Sequence, residues 1–372
     1  MKSNLEVYRC RLTTLGPVFI GKGSELSKKE YLFLNNKKTV GIIDIEKFYN
    51  IVARKGAAHR FEQYMMNPRD KMNLGQWMKA EKISWAEVDS CLKYTIDSGD
   101  TVIQRGTPIQ IAECLKDPYG FPYIPGSSIK GILRTVLLAR RIAEESERFR
   151  NDKNEIIRTI KSTHGKVRRT SFLQGESRAV EQTAFYQLRR NEKRKGDAVN
   201  DELSGLIVSD SIPLRIKDMV LCQKIEYQVD GTEKRLNLLR ECIKPGITLE
   251  FTITIEKDIC SIRKEEIMQG MKIFNKMYYE NFLQAFSGAK RPVPNQIYLG
   301  GGTGFVSKTV VYPLFGKIEG LNMVIDIFRY TGVPQNHKHE KDRQYGASPH
   351  ILKCTRYDGK IMEMGKSILE IL

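Results

Sequence analysis

The segment YLGGGTGFVSKT, from Tyr298 to Thr309, contains four glycines within five positions. Glycine is favoured where another backbone comes close or where φ is positive. Exposed peptide N–H groups beside a lysine suit a phosphodiester, because its oxygens accept hydrogen bonds. We therefore predict that a phosphodiester chain, or another part of the chain's own backbone, lies against this glycine loop. Its predicted contact residues are Gly300, Gly301, Gly302, Thr303, Gly304, Phe305 and Lys308.

Two nucleotide-binding templates do not fit the glycine loop. A dinucleotide fingerprint would require glycine where Phe305 stands, and a P-loop would require glycine where Ser307 precedes Lys308. Both templates also need a helix after the loop. The following residues 310–316, VVYPLFG, contain β-branched residues and Pro313, and they predict an extended segment. The sequence therefore does not favour a nucleotide hydrolase.

One histidine could serve acid–base chemistry. His164 lies in KSTHGKVRRTSF between lysines and arginines, where an imidazole could act as a general base on a ribose hydroxyl. A loop histidine among basic residues is more often a binding residue or has no role. Three aspartates were considered as catalytic acids, and each stands alone in the sequence without a matched partner: Asp97, Asp100 and Asp210. We therefore predict no catalytic residue, and His164 remains the alternative.

The sequence marks no metal or cofactor site. His337 and His339 supply at most two ligands, and no third ligand stands at a usual spacing. The cysteines are isolated, odd in number and free of any C-x-x-C pair, which is typical of reduced, buried thiols. They are Cys10, Cys91, Cys114, Cys222, Cys242, Cys260 and Cys354.

The charge of the chain indicates a polyanionic partner. The net charge is +17, and residues 148–197 contain 14 basic and 6 acidic residues. Nearly half of the excess charge thus lies in about fifty residues, which favours phosphate contacts over a merely solvated surface. Within this segment Arg168 and Arg169 precede Phe172, whose ring could stack on a base.

The segment YIPGSSIKGILRTVLLARRIAEESERF predicts a long helix. Pro125 and Gly126 come before Ser127 or Ser128, either of which could cap it. Its apolar side chains recur at helical spacing and predict a core face, with a basic stripe beside it. The core face is Ile129, Ile132, Leu133, Val136 and Leu137, and the stripe is Lys130, Arg134 and Arg141.

The other predicted elements are mainly strands and hairpins. Residues 31–44 predict a hairpin that turns at Asn35 and Asn36, and residues 44–97 are expected to be largely helical. Asp230-Gly231 and Pro245-Gly246 predict two turns, the second followed by an alternating strand from residue 248. A second helix is predicted over 264–287, and the tail after Asn322 predicts one helical turn followed by a polar stretch.

Three stretches together resemble a known family. LTTLGPVFIGKG near the start, YIPGSSIKGILR at 123–134 and YLGGGTGF near the end resemble the RAMP superfamily of CRISPR effector proteins, in that order. They are most similar to the terminal RAMP subunit of the type III-A (Csm) complex, which caps the 3′ side of the guide RNA (crRNA).

The resemblance implies an α+β fold of two ferredoxin-like (RRM-like) units with helical and basic insertions. An N-terminal RAMP domain is expected over 1–258, with insertions at about 44–120 and 148–200. A C-terminal RAMP-like domain carrying the glycine loop is expected over 259–372.

The resemblance also implies a cytoplasmic, non-catalytic subunit that holds the 3′ part of the crRNA and supports its maturation. Implied partners are the crRNA, other Csm subunits (chiefly a neighbouring backbone RAMP) and host nucleases that trim the guide; no membrane is involved. The stretch TTLGPVFIGKG lacks the aspartate that would match a target-cleaving RAMP. Outside the glycine loop, the expected RNA contacts are Gly21, Lys22, Gly126, Ser127, Ser128, Lys130, Arg134, Arg168, Arg169 and Phe172.

Two alternatives stay open at this point. The chain could be a metal-independent RAMP endoribonuclease that processes guide precursor with His164. It could also be a scaffold whose basic surface binds acidic proteins.

Overall fold

Two β-sheets and the helices between them form the protein. The computed structural model describes residues 4–34, 38–101, 109–334 and 337–372. The predicted turn at Asn35 and Asn36 therefore lies outside the described residues, but the strands on either side pair as a hairpin, with Leu34 opposite Thr39.

The strands are β1 (Leu5–Thr14), β2 (Gly21–Leu26), β3 (Tyr31–Leu34), β4 (Thr39–Ile43), β5 (Leu92–Asp97), β6 (Gln110–Cys114), β7 (Leu206–Val208), β8 (Met219–Gln228), β9 (Glu233–Ile243), β10 (Thr248–Glu256), β11 (Gln296–Tyr298), β12 (Ile351–Tyr357), β13 (Lys360–Glu363) and β14 (Lys366–Ile371). The helices are α1 (Ile45–Arg54), α2 (Ala58–Met66), α3 (Leu74–Ala80), α4 (Trp85–Asp89), α5 (Gly126–Glu144), α6 (Arg150–Ser162), α7 (Gln174–Phe185), α8 (Lys264–Asn281), α9 (Val311–Tyr330) and α10 (Asp342–Tyr345).

The smaller sheet has five strands in the order β11-β14-β1-β10-β7, and its central pairs are antiparallel. The larger sheet has nine strands and includes β2, β6, β9, β8 and β12. The predicted α+β class with two RRM-like units is confirmed. Strands from both sides of residue 258 pair in each sheet, β14 with β1 and β12 with β8, and the predicted domain boundary stays a prediction.

The core of the smaller sheet is the face covered by α5 and α8. The predicted apolar face of α5 is buried throughout, from Ile129 to Leu137. A Cβ on Gly270 of α8 would lie 3.0 Å from the carbonyl oxygen of Val136, so glycine lets the two helices approach closely. In β10 the predicted alternation is confirmed, because Leu249, Phe251 and their alternate neighbours are buried.

The insertion after β4 has its own small core. Helices α1 to α4 bury aromatic side chains against one another, including Phe48, Phe61, Tyr64 and Trp77. The predicted helical stretch is confirmed for these four helices and is wrong for its end, since Leu92–Asp97 forms β5.

Two predictions for the C-terminal third are wrong. Residues from Val311 form helix α9 and not an extended segment, because Pro313 lies in the first turn, where its missing N–H has no helical partner to lose. Gly316, with a φ of +70°, bends this helix. The tail after Asn322 completes α9 and then adds β12, β13 and β14. β13 pairs with β12 as a hairpin, whereas β12 also pairs with β8 and β14 with β1, far away in sequence.

Among the described residues, no helix is both long and apolar enough to cross a membrane.

Candidate nucleic-acid interface

The glycine loop, residues 300–304, lies against the chain between β1 and β2. The N–H of Gly301 donates to the carbonyl oxygen of Phe19 at 2.7 Å. A Cβ on Gly300, whose φ is +81°, would stand 2.3 Å from the same oxygen. The predicted close approach of another part of the chain's own backbone is present, and that backbone is that of Phe19 and not of helix α5. A contact of the loop with RNA stays a prediction.

The other side of the loop faces a cavity of about 650 Å³, which we call the basic recess. Its walls carry a single carboxylate, Glu226, and several histidines and cations. The cationic residues of the recess are Arg169, Lys224, Arg240, Lys308 and Lys353. This excess of positive charge in a concave surface is the arrangement that attracts phosphates.

The least neutralised charge in the recess belongs to Arg169, Arg240 and Lys308, because none of the three forms an ion pair with a carboxylate of the described residues. The Arg240 guanidinium lies 5.4 Å from the centre of the Phe19 ring and beside Gly302, and burial lowers its pKa. The Lys308 side chain is partly exposed in the recess, and its amine donates to the carbonyl oxygen of Tyr298 at 3.3 Å. The surrounding protein displaces bulk water and lowers the pKa of Lys308 to about 8.

Two further lysines share the one acid. Lys353 Nζ lies 2.8 Å from Oε1 of Glu226, and Lys224 Nζ lies 3.8 Å from the same oxygen. Burial alone would raise the pKa of Glu226, but the hydrogen bond from Lys353 and the two positive charges outweigh it and lower that pKa. Burial, and then the charge of Lys353, lowers the pKa of Lys224. One carboxylate thus leaves part of this charge free for a ligand.

The basic segment reaches the recess through its contacts with α9. The N–H of Val167 donates to the carbonyl oxygen of Tyr330 at 2.8 Å, and Lys166 Nζ donates to that of Arg329 at 2.7 Å. These bonds place the exposed side chain of Arg169 on the recess wall. Arg168 and His164 are exposed and belong to none of the cavity walls described here.

Of the predicted contacts, Arg169, Gly302, Gly304, Phe305 and Lys308 line the basic recess. Thr303 is the buried residue of the loop, and Phe172 lines a neighbouring cavity. Gly21 and Lys22 are exposed on β2, and Lys22 lines a separate cavity with Glu113, whose carboxylate is 3.6 Å from its amine. Of these predicted contacts, the structure therefore brings the glycine loop and Arg169 together and places Lys22 at another cavity.

The N-terminus of α5 is already occupied by the protein's own carboxylate. The N–H of Gly126 donates to Oδ1 of Asp210 at 2.8 Å, and the helix begins after Pro125 with no cap from Ser127 or Ser128. The N–H of Gly126 therefore already has a partner, whereas RNA contacts by Ser127 and Ser128 stay predictions. Gly126 is needed for another reason, since a Cβ would stand 2.1 Å from the carbonyl oxygen of Val208.

The basic stripe of α5 is directed into the protein. Arg134 forms two ion pairs of 2.7 Å, one with Glu181 and one with Asp201, and Arg141 is buried against Glu202 at 2.6 Å. The charge of Arg134 is thus largely neutralised by two carboxylates, and its predicted contact with RNA stays a prediction. Lys130 beside it is half-buried, and burial lowers its pKa.

We expect Arg134→Gln to lower the free energy of unfolding by about 1–3 kcal/mol, because it leaves two carboxylates without their partner. RNA affinity should change less than about twofold. Urea unfolding and fluorescence anisotropy measure the two effects. Arg158→Gln, which removes an exposed pair with Glu155, is the matched control for stability. A loss of RNA affinity without a loss of stability would contradict this assignment.

The sequence did not reveal Lys224, Arg240 or Lys353. They stand on β8, β9 and β12, and only the pairing of β8 with both other strands brings them together. The available signal was a lysine or arginine within an apolar strand, which does not by itself say what the residue faces.

A cluster of His339, Asp342 and His350 could geometrically hold a metal ion, since one ligand atom from each lies within 4.8 Å of the others. The Asp342 carboxylate already accepts hydrogen bonds from both imidazoles, at 3.0 and 2.5 Å, and from the Ser348 hydroxyl at 2.6 Å. Burial would raise the pKa of Asp342, but these bonds outweigh it and lower that pKa. The cluster is thus a satisfied network that joins α10 to β12, and the residues do not require an ion.

The comparisons with known proteins agree with this architecture. A family model for the RAMP superfamily matches residues 11–307, and the chain belongs to this superfamily. Its relatives include the "CRISPR system Cms protein Csm5" of Mycobacterium tuberculosis, 27% identical over 100% of this chain and 99% of that protein. The protein of the same name from Streptococcus thermophilus is 28% identical over 86% of this chain and 84% of its own length.

Two solved structures share the fold. A chain in the cryo-EM structure of a Csm–crRNA–target RNA ternary complex of a type III-A CRISPR-Cas system superposes with a TM-score of 0.62 at 20% identity, covering 98% of this chain and 100% of that one. The crystal structure of T. onnurineus Csm5 gives a TM-score of 0.59 at 18% identity, covering 96% and 99%. The resemblance to a RAMP protein of the Csm kind is confirmed.

Proposed function

We propose that this protein is a subunit of a cytoplasmic type III-A CRISPR complex and binds the 3′ part of the crRNA through the basic recess. The observation that carries the proposal is the convergence of Arg240 and Lys308, neither paired with a described carboxylate, beside Gly302 and Gly304. Cations and exposed backbone at one concave site suit the phosphates of a single strand and read no base sequence.

The relatives support the assembly and the partners. Csm5 proteins match this chain over most of their length, and they are named as proteins of a CRISPR system. A protein with this role contacts the crRNA, a neighbouring backbone RAMP and further Csm subunits, and it supports trimming of the guide by host nucleases.

The protein is not the nuclease in this proposal. His164, the alternative general base, is exposed and lies apart from the basic recess, with no hydrogen bond to orient its ring. General-base catalysis needs a group within hydrogen-bond reach of the proton that it removes. RNA phosphates held in the basic recess would therefore not by themselves bring a ribose hydroxyl to His164.

The test is incubation of purified protein with guide precursor in EDTA, followed by a denaturing gel. We expect the RNA to bind, as measured by fluorescence anisotropy, and to be recovered at its original length. Shortened RNA with a defined new end, absent with His164→Ala, would instead establish the endoribonuclease. RNA that does not bind, in a chain that still assembles with its partners, would establish the scaffold.

A further inference from the structure

A second, apolar cavity of about 480 Å³ adjoins the basic recess. The apolar cavity lies among α5, α6, α7 and α9. Both cavities have several wall residues in common: Arg169, Phe305, Lys308, Thr309, Phe328 and Thr331. Its volume falls within the range of about 300–1,000 Å³ that is usual for small-ligand sites.

The walls of the apolar cavity are suited to a flat aromatic ligand. Phe305 and Phe328 meet edge-to-face with their ring centres 5.3 Å apart, and Phe172 also lines the cavity, with its ring centre 6.1 Å from that of Tyr330. Aliphatic side chains complete the walls: Leu138, Ile156, Leu173, Val180, Leu314 and Ile327. Aromatic faces bind nucleobases of any identity by stacking.

Two polar features distinguish this cavity from an ordinary packing defect. The hydroxyl of Thr309, on the wall between the two cavities, is buried and has no hydrogen-bond partner. Arg169 and Lys308 line both the apolar cavity and the basic recess. Their charges favour a ligand that carries an anionic group next to the part that enters the cavity. An unpaired buried hydroxyl is costly unless a ligand satisfies it.

We propose that the apolar cavity receives one nucleobase of the RNA strand whose phosphates occupy the basic recess. The base stacks against Phe172, and Thr309 exchanges a hydrogen bond with its edge. The proposal rests on the proposed function, because it needs RNA in the recess. Cations at the mouth favour a nucleotide over an apolar side chain of a neighbouring protein.

The experiment uses single-stranded RNAs of one length, each with one abasic nucleotide at a different position. Wild-type protein should lose about tenfold or more in affinity for one abasic position and little for the others. In Phe172→Ala the abasic nucleotide at that position should no longer lower the affinity, because the base and the ring contribute through the same contact. Phe121→Ala, which removes an exposed ring outside both cavities, should retain the wild-type profile.

A second variant keeps the test valid if Phe172→Ala does not fold. Ser177→Phe adds a ring to the cavity from an exposed position of α7 and should also remove the dependence on that one base. A flat abasic profile with strong RNA binding would overturn the base site and leave the proposed function standing. Loss of complex assembly in both variants with an unchanged abasic profile would assign the cavity to a protein side chain. Absence of RNA binding altogether would overturn the proposed function itself.

Discussion

Replacing Lys224, Arg240 and Lys308 together by glutamine is expected to weaken the binding of single-stranded RNA by about 100-fold or more at low salt. Each charged hydrogen bond to a phosphate is worth about tenfold or more in affinity. Lys353 remains to pair with Glu226, so the buried acid keeps its partner and the fold is retained. Fluorescence anisotropy measures the affinity, and thermal unfolding checks the fold.

The control for this triple variant removes the same charge elsewhere. Arg150, Arg158 and Lys195 are exposed and lie outside the basic recess, and replacing them by glutamine also lowers the net charge by three. We expect a loss of only a few-fold. Equal losses in the two triple variants would show that general charge, and not the recess, holds the RNA.

The pKa of Lys308 adds a pH dependence to the same contact. Burial lowers this pKa to about 8, so the amine is charged at neutral pH and loses its proton as the pH rises through that value. RNA affinity should therefore fall between pH 7 and 9, by up to about tenfold. A bound phosphate favours the charged form and moves the fall to higher pH. Lys308→Gln should bind more weakly at pH 7 and show little of this decline.

Gly300→Ala is expected to lower the free energy of unfolding by about 3 kcal/mol or more. The added methyl would stand 2.3 Å from the carbonyl oxygen of Phe19, at a φ of +81°. Relieving the clash separates the loop from that strand connection and breaks the hydrogen bond from Gly301. Equilibrium unfolding in urea measures the loss.

Gly304→Ala is the matched control for Gly300→Ala. Its φ is +93°, but the nearest neighbour of an added Cβ is Lys353 Cγ at 3.9 Å. Only the backbone strain remains, and we expect a loss of about 1–2 kcal/mol. Similar losses for the two variants would mean that the approach of Phe19 is not what requires glycine at position 300.

The core of the fold was predictable because its signals are local. The apolar spacing of α5 and the alternation of β10 depend on neighbours within a few residues, and both were confirmed. The strands β12 and β14 were missed because each pairs with a strand more than a hundred residues away, β12 with β8 and β14 with β1. Helix α9 was missed because Pro313 indicates an extended segment unless it stands in a first turn.

The candidate site was only partly predictable, since charge along the sequence differs from charge that a ligand can use. Four of the fourteen basic residues of the segment 148–197 form ion pairs, for example Arg148 with Glu145 and Lys153 with Glu319. Arg134 is paired twice and contributes to packing. Arg240 is isolated in the sequence, yet its position on β9 beside Gly302 leaves its charge free within the recess.

The most direct test of the central claim is the salt dependence of RNA binding by the wild type and by the triple variant of Lys224, Arg240 and Lys308, in EDTA. The logarithm of affinity should fall linearly with the logarithm of salt concentration, with a slope of about −0.7 for each phosphate neutralised. If the recess holds the phosphates, the slope of the variant should be shallower by about 2. Parallel lines for the two proteins would contradict the account and place the RNA elsewhere on the surface.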